Sequence, residues 1–145
     1  LTLDVGEHVI QAEVSDVAGT LVTTASVITV IDDGLEPIMS NIAPKRNKFC
    51  PATNPYDLPE KSTLKIGFIL SKAASISLTA RDLAGNEVST RSYTTLPPGE
   101  NVITWDGRTD DNKVLRPGSY FVQLEATDSF SRSSGVHAIH VKIFF

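Results

Sequence analysis

Polar and apolar residues alternate with a period of two along most of this chain, the signature of half-buried strands. Gly, Pro, Asp and Asn interrupt the alternation at intervals. Its clearest stretch is NVITWDGRTDDNKVLRPGSYFVQLEATD, Asn101 to Asp128. Ile103 and Trp105 fall on one side of a first strand, Val102 and Thr104 on the other. The pattern stops at Asp106-Gly107 and Thr109-Asp110-Asp111-Asn112. These are turn residues: Gly permits positive φ, and Asp and Asn side chains bond back to their own backbone. Pro117-Gly118 closes the loop. From Ser119 a second long strand places Tyr120, Val122, Leu124 and Ala126 on one face and Phe121, Gln123, Glu125 and Thr127 on the other.

The remaining elements follow the same logic. Glu7 to Ser15 alternates His8, Ile10, Ala12 and Val14 against Glu7, Val9, Gln11 and Glu13; Asp16-Val17-Ala18-Gly19 turns the chain, and Leu21 to Ile31 returns as a Thr/Val/Ile-rich strand. Asp32 to Pro37 is a short polar connector, too short for a floppy tether. Ile38 to Ala43 predicts an edge strand ending at Pro44, and Pro51, Pro55 and Pro59 predict irregular backbone over Lys45 to Pro59. Leu64, Ile66, Phe68 and Leu70 point inward from the next strand, and Ile76, Leu78 and Ala80 from the one after. Leu83-Ala84-Gly85-Asn86 is a turn. Glu87 to Tyr93 has the weak apolar phase of an edge strand, and Gly135 to Phe145 brings Ile139, Val141 and Ile143 into phase. No segment carries a 3.6 period over more than two turns. The pattern predicts an all-β fold: an antiparallel immunoglobulin/fibronectin-III-like sandwich of about seven strands plus an N-terminal β-hairpin.

An internal repeat sets the expected domain organisation. GEHVIQAEVSD, Gly6 to Asp16, matches GSYFVQLEATD, Gly118 to Asp128, with Gly, Gln, Glu and Asp identical and the apolar positions in phase. The offset of 112 residues is about the length of one immunoglobulin-like sandwich. Residues 1–34 are therefore expected to be the last hairpin and linker of an incomplete Ig-like domain, residues 35–145 a complete one, and the parent architecture a tandem array.

Composition narrows the class. The 145 residues are 41% hydrophobic and 21% charged, ordinary for a globular chain. The net charge of -4, with no basic cluster beyond Lys45-Arg46 and Lys48, leaves no electrostatic footprint for nucleic acid or an anionic membrane. No run of about 18 apolar residues predicts a membrane-spanning helix. The start at Leu1, without Met or a signal sequence, suggests processing or a fragment. Cys50 is alone, which excludes an intrachain disulfide and a Cys-based metal site; with no His near it in sequence, it reads as a small apolar filler.

With these residues in view, Asn54-Pro55, the strands STLKIGFIL and SISLTARDLAGNEV, and LPPGENVITWDGRTDDNKVLRPGSYFVQLEATD resemble the Ig-like domain of the flagellar hook-cap scaffolding protein. Sorting domains of the type IX secretion pathway share the same domain. The resemblance covers about residues 49 to 143 and is most specific over Trp105, Asp106, Gly107, Pro117, Gly118 and Tyr120. The family pattern usually has Gly where this chain has Asn112, a residue that also tolerates the left-handed region. Sorting domains tend to finish on a basic residue, whereas this chain finishes Lys142-Ile143-Phe144-Phe145. The N-terminal hairpin, with D-x-A-G at Asp16, resembles the end of a bacterial Ig-like repeat. The resemblance implies binding, spacing or assembly and no catalysis.

Each candidate site has a structural reading beside it. Asp106, Asp110, Asp111 and Asn112 gather oxygen ligands of the kind Ca²⁺ takes, but their spacing is not that of an EF-hand and turn formation explains them better. Asn54, Asp57 and Glu60 offer a second such loop, again better read as turn and cap. His8, His137 and His140 lie on strands, the last two facing opposite ways, and make no metal set. Trp105, beside Ile103 and a tight turn, is expected as a core anchor rather than a ligand platform. Ser129 to Ser134 lies near His137 without a nucleophile elbow and reads as a solvated hairpin tip.

The apolar face of Ile10, Ala12 and Val14, marginal in an isolated hairpin, and the terminal Phe144 and Phe145 are the candidate assembly surfaces. Their expected partners are neighbouring Ig-like domains or further copies of the chain, up to a homopolymer. The expected function is that of a non-enzymatic structural or assembly module of an exported bacterial surface or filament protein, extracellular and without a cofactor. The alternatives are a C-terminal sorting or accessory module of a secreted hydrolase, and a flagellar hook-assembly scaffold.

Overall fold

The computed structural model describes residues 6–30, 32–51 and 59–144. The chain divides into two compact units, Leu1–Leu35 and Glu36–Phe145. In the first, β1 (Gly6–Ser15) pairs with β2 (Leu21–Val30) antiparallel, in an unbroken register from Gly6↔Val30 to Ser15↔Leu21. The Asp16 carboxylate accepts the amides of Ala18 and Thr20, and Gly19 takes φ 82° where the chain reverses. Ile10 is 47% exposed and Val14 67%, so the apolar face legible in the sequence is uncovered within this unit.

The second unit contains β3 (Met39–Pro44), β4 (Lys48–Phe49), a single helical turn at Pro59–Ser62, β5 (Leu64–Leu70), β6 (Ala74–Asp82), β7 (Glu87–Leu96), β8 (Gly99–Trp105), β9 (Gly118–Thr127) and β10 (Ser133–Ile143). A five-stranded sheet of order β4-β10-β9-β6-β7 and a three-stranded sheet of order β3-β5-β8 form the two layers of the expected all-β, Ig-like sandwich. The strand sides expected to be inward on β5, β6 and β9 are buried: Leu64, Ile66, Phe68 and Leu70, then Ile76, Leu78 and Ala80, then Tyr120, Val122, Leu124 and Ala126, whereas Ile139 of β10 is only half-buried. Val141 and Ile143 complete this layer from β10. β7 is an edge strand, paired only with β6, as its weak apolar phase predicts.

One expectation is corrected. The Pro-rich stretch from Lys45 is not wholly irregular, because Lys48–Phe49 pairs in parallel with Lys142 and Ile143 of β10. Phe49 is 1% exposed, its ring edge-on to Trp105 at 5.7 Å between centroids. A two-residue pairing is too short to leave an alternation, and only tertiary burial of the ring selects it.

One turn recurs. The amides of Ala84 and Asn86 bond the Asp82 carboxylate, and those of Phe130 and Arg132 bond Asp128, as Ala18 and Thr20 do with Asp16. The residue three after each Asp has positive φ: Gly19, Gly85 and Ser131. The side chain thus satisfies two amides that the reversal would otherwise strand, so each hairpin is closed by its own first residue.

Candidate functional site

The segment from Trp105 to Tyr120 is built from short-range bonds. Asp106 Oδ1 accepts the Arg108 amide at 3.1 Å. Gly107 has φ 68°, and a Cβ there would fall 2.7 Å from Pro51 Cγ and 2.8 Å from Phe49 Cε2, so only glycine lets the loop lie on the Phe49 ring. Thr109 Oγ1 accepts the Lys113 amide, and Asn112 takes φ 61°, the left-handed position where Asn replaces Gly. Arg108 and Val114 form an isolated bridge, and Leu115 is buried in the core. After Pro117-Gly118, the Tyr120 hydroxyl donates to the Arg116 carbonyl at 2.8 Å, four residues back at the entry to β9, which is the geometry of a tyrosine corner.

Arg91 of β7 ties this loop to the edge of the sandwich. Its guanidinium donates to Asp110 Oδ1 at 2.9 Å and to the carbonyls of Arg108 and Thr109, and it lies 3.6 Å from Asp106 Oδ1. Asp110 also accepts the Thr90 amide and hydroxyl, and the Thr90 amide holds its carboxyl below the ordinary carboxylate range. Beneath this, Trp105 is 1% exposed and its indole N–H donates to Ser89 Oγ at 3.3 Å. The Tyr93 hydroxyl donates to the Thr104 carbonyl at 2.7 Å; burial pushes its pKa up to about 12.

Of the four oxygen-bearing residues expected for Ca²⁺, Asp106 and Asp110 both face Arg91, while Asp111 is exposed and Asn112 forms the turn. Among the described residues no group of three or more His, Cys, Asp or Glu gathers as a metal site. Asn54, Asp57, the side chain of Glu60, and Phe145 lie outside what is described. His137, opposite Leu124, and His140, opposite Phe121, face opposite sides of β10; His140 meets the Phe121 ring edge-on, and His137 Nε2 is buried without a hydrogen-bond partner. Ser133 donates to the Glu125 carboxylate and Ser134 to the Gly135 carbonyl, so these hydroxyls are engaged in the bend of β10. Phe144 is 44% exposed.

Sequence reasoning did not single out Ser89, Thr90 or Arg91, although Ser89, Arg91 and Tyr93 share the face of β7 that meets the loop. The basic residues Lys45 and Arg46 also acquire a setting. With Thr63 and Lys65 they line a cleft of about 160 Å³, where the Lys45 amide bonds the Lys65 carbonyl at 2.8 Å.

Comparison with known proteins bears on the whole arrangement. A family model described as FlgD Ig-like domain matches residues 56–129. No curated protein sequence matches the chain. Dimeric latent PorU from Porphyromonas gingivalis is similar in structure, with a TM-score of 0.53 and 13% identity; the match covers 97% of this chain and 12% of that one. FlgD from Xanthomonas campestris, whose structure bears on the hook capping essential for flagellar assembly, is similar with a TM-score of 0.51 and 16% identity, covering 74% of this chain and 69% of that one.

Proposed function

Because the chain belongs to the FlgD Ig-like domain family through residues 56–129, we propose that it is a non-catalytic structural and assembly module of an exported bacterial surface or filament protein. It acts through strand edges and end-to-end contacts between domains. The observation that carries this reading is the use made of the Trp105 to Tyr120 motif. Its polar groups are committed to turns, to the tyrosine corner and to Arg91, and its large side chains fill the sandwich. The motif builds a rigid end and offers no reactive group.

We also take the β1–β2 hairpin as the counterpart of β9–β10, and so as part of a second Ig-like domain, which makes residues 35–145 one member of a tandem array. Two things support this: the repeat at Gly6 and Gly118, and a PorU match that includes the hairpin. The module works without a bound metal. Added calcium should leave its unfolding midpoint unchanged, and a rise of several degrees overturns that part of the reading.

The test of the assembly role is light scattering with negative-stain electron microscopy on the whole chain over a concentration series. Ordered end-to-end assemblies are expected. A monodisperse monomer at every concentration and salt overturns the assembly role.

A further inference from the structure

Charge is divided between the two units in a way that the net value of -4 conceals. All thirteen Lys and Arg residues lie at or beyond Lys45, while Leu1–Leu35 holds Asp4, Glu7, Glu13, Asp16, Asp32 and Asp33. The first unit is formally -6 with no Lys or Arg, and the second is +2. The β1–β2 hairpin itself, Gly6–Val30, carries Glu7, Glu13 and Asp16, so two hairpins repel one another and a positively charged surface complements either.

The second unit carries a matching surface. Lys45, Arg46 and Lys65 are exposed and line one cleft with Thr63. Among the described residues, no carboxylate lies within salt-bridge distance of any of the three. On the other sheet, Lys48 of β4 and Lys142 of β10 are direct cross-strand neighbours, a like-charge pairing that costs stability where nothing compensates it. The cleft lies at the end of the sandwich where β3 finishes and β5 begins, since Pro44 pairs with Ile66. The chain enters this unit at the other end, where Met39 pairs with Leu70 and the Ile38 amide bonds Ser71 Oγ. A cationic surface at the far pole from the point of chain entry is placed for a neighbour that follows in line.

We propose that the acidic β1–β2 hairpin of one copy docks on the Lys45/Arg46/Lys65 cleft of a second copy. The contact joins two different surfaces, so it is heterologous and repeats along a line rather than closing as a two-fold dimer. It deepens the assembly role proposed above and rests on it. Charge complementarity across exposed groups sets the register and speeds encounter, and it weakens as salt screens it.

The test is sedimentation velocity on the whole chain, wild type and two charge-reversed forms, each first shown to unfold at the wild-type midpoint. One form carries Lys45→Glu, Arg46→Glu and Lys65→Glu; the other carries Gln11→Lys and Glu13→Lys on β1, all at exposed positions. Wild type should associate at low salt and lose about tenfold or more in association constant at roughly 0.5 M salt, where the Debye length shrinks to a few Å. Each reversed form alone should stay monomeric, and an equimolar mixture of the two should associate again. A cleft-reversed form that associates like wild type, or a mixture that stays monomeric, overturns the proposal. So does a wild type that is monomeric at low salt and instead binds heparin through the same lysines, which would assign the cleft to an acidic polymer. Assemblies indifferent to salt and to both reversals would overturn this contact while leaving the assembly role standing; no assembly under any condition removes both.

Discussion

The Asp110 carboxylate accepts the Thr90 amide at 2.8 Å and the Thr90 hydroxyl at 2.9 Å, joining positions twenty residues apart. Thr90 lies on the outer strand of the five-stranded sheet, where unpaired amides invite a foreign strand. The loop therefore occupies the edge that it borders. Asp110→Ala should leave the fold intact but speed hydrogen exchange at the Thr90 amide, read by NMR. The pH dependence follows from the lowered carboxyl pKa. Its contribution is present above the ordinary carboxylate range and is lost as pH falls through the folded value, so the wild-type amide should lose protection in acid while the variant shows no such step. Unchanged exchange in Asp110→Ala would refute the capping role.

Trp105 and Ser89 test the core beneath the loop. Trp105→Ala should cost about 3–5 kcal/mol, the usual range for removing a buried aromatic. Ser89→Ala, which leaves the buried indole N–H without its acceptor, should cost about 1–3 kcal/mol. Urea unfolding followed by tryptophan fluorescence measures the Ser89 effect directly; the Trp105 variant needs circular dichroism. A neutral Ser89→Ala would mean that the 3.3 Å contact contributes nothing.

Much of this architecture was legible in advance because a two-layer sandwich imposes its period on the sequence. The inward sets on β5, β6 and β9 could be written down from alternation, and Trp105 and Tyr120 stood out beside their turns. The parts that were not legible depend on distant partners. Nothing local in Lys48-Phe49 announces a parallel pairing with β10, and nothing near Thr90 points to Asp110. The engagement of Asp106 and Asp110 with Arg91 was equally hidden, so two carboxylates that read in sequence as turn residues also form, in space, the other half of an ion pair.

Gly107→Ala should be far worse than Gly85→Ala. Both glycines have positive φ, but a Cβ at Gly85 meets nothing within 4 Å, whereas at Gly107 it would strike Pro51 and Phe49. The Gly85 change carries only the backbone penalty of about 1–2 kcal/mol. The Gly107 change adds about 1–3 kcal/mol of overpacking. Thermal unfolding of the two variants separates the terms, and equal losses would contradict the close approach of the loop to Phe49.

Tyr93 supplies an alkaline signature. The folded chain holds its phenolic proton up to about pH 12, against 10.0 for an ordinary tyrosine. The stabilisation from the neutral hydroxyl is complete below pH 10 and disappears as pH climbs toward 12. Tyrosinate absorbance should accordingly show a late component that shrinks in Tyr93→Phe without vanishing, since burial raises Tyr120 as well. An identical titration in the variant would rule out the buried bond to Thr104.

The small parallel pairing of β4 with β10 has a mechanical meaning. The chain enters this unit just before β3, crosses between the sheets to β4, and leaves from β10, its last strand. Once β3 has come away from β5, tension between those ends draws β4 and β10 in opposite senses along a shared axis. The Lys142 amide on Asn47 and the Phe144 amide on Phe49 are then loaded together in shear instead of parting one after another like a zip. The Phe49 ring seated against Trp105 has to be pulled from the core in the same event. A two-residue clamp with an aromatic plug is an arrangement that resists stretching of this unit between its two ends.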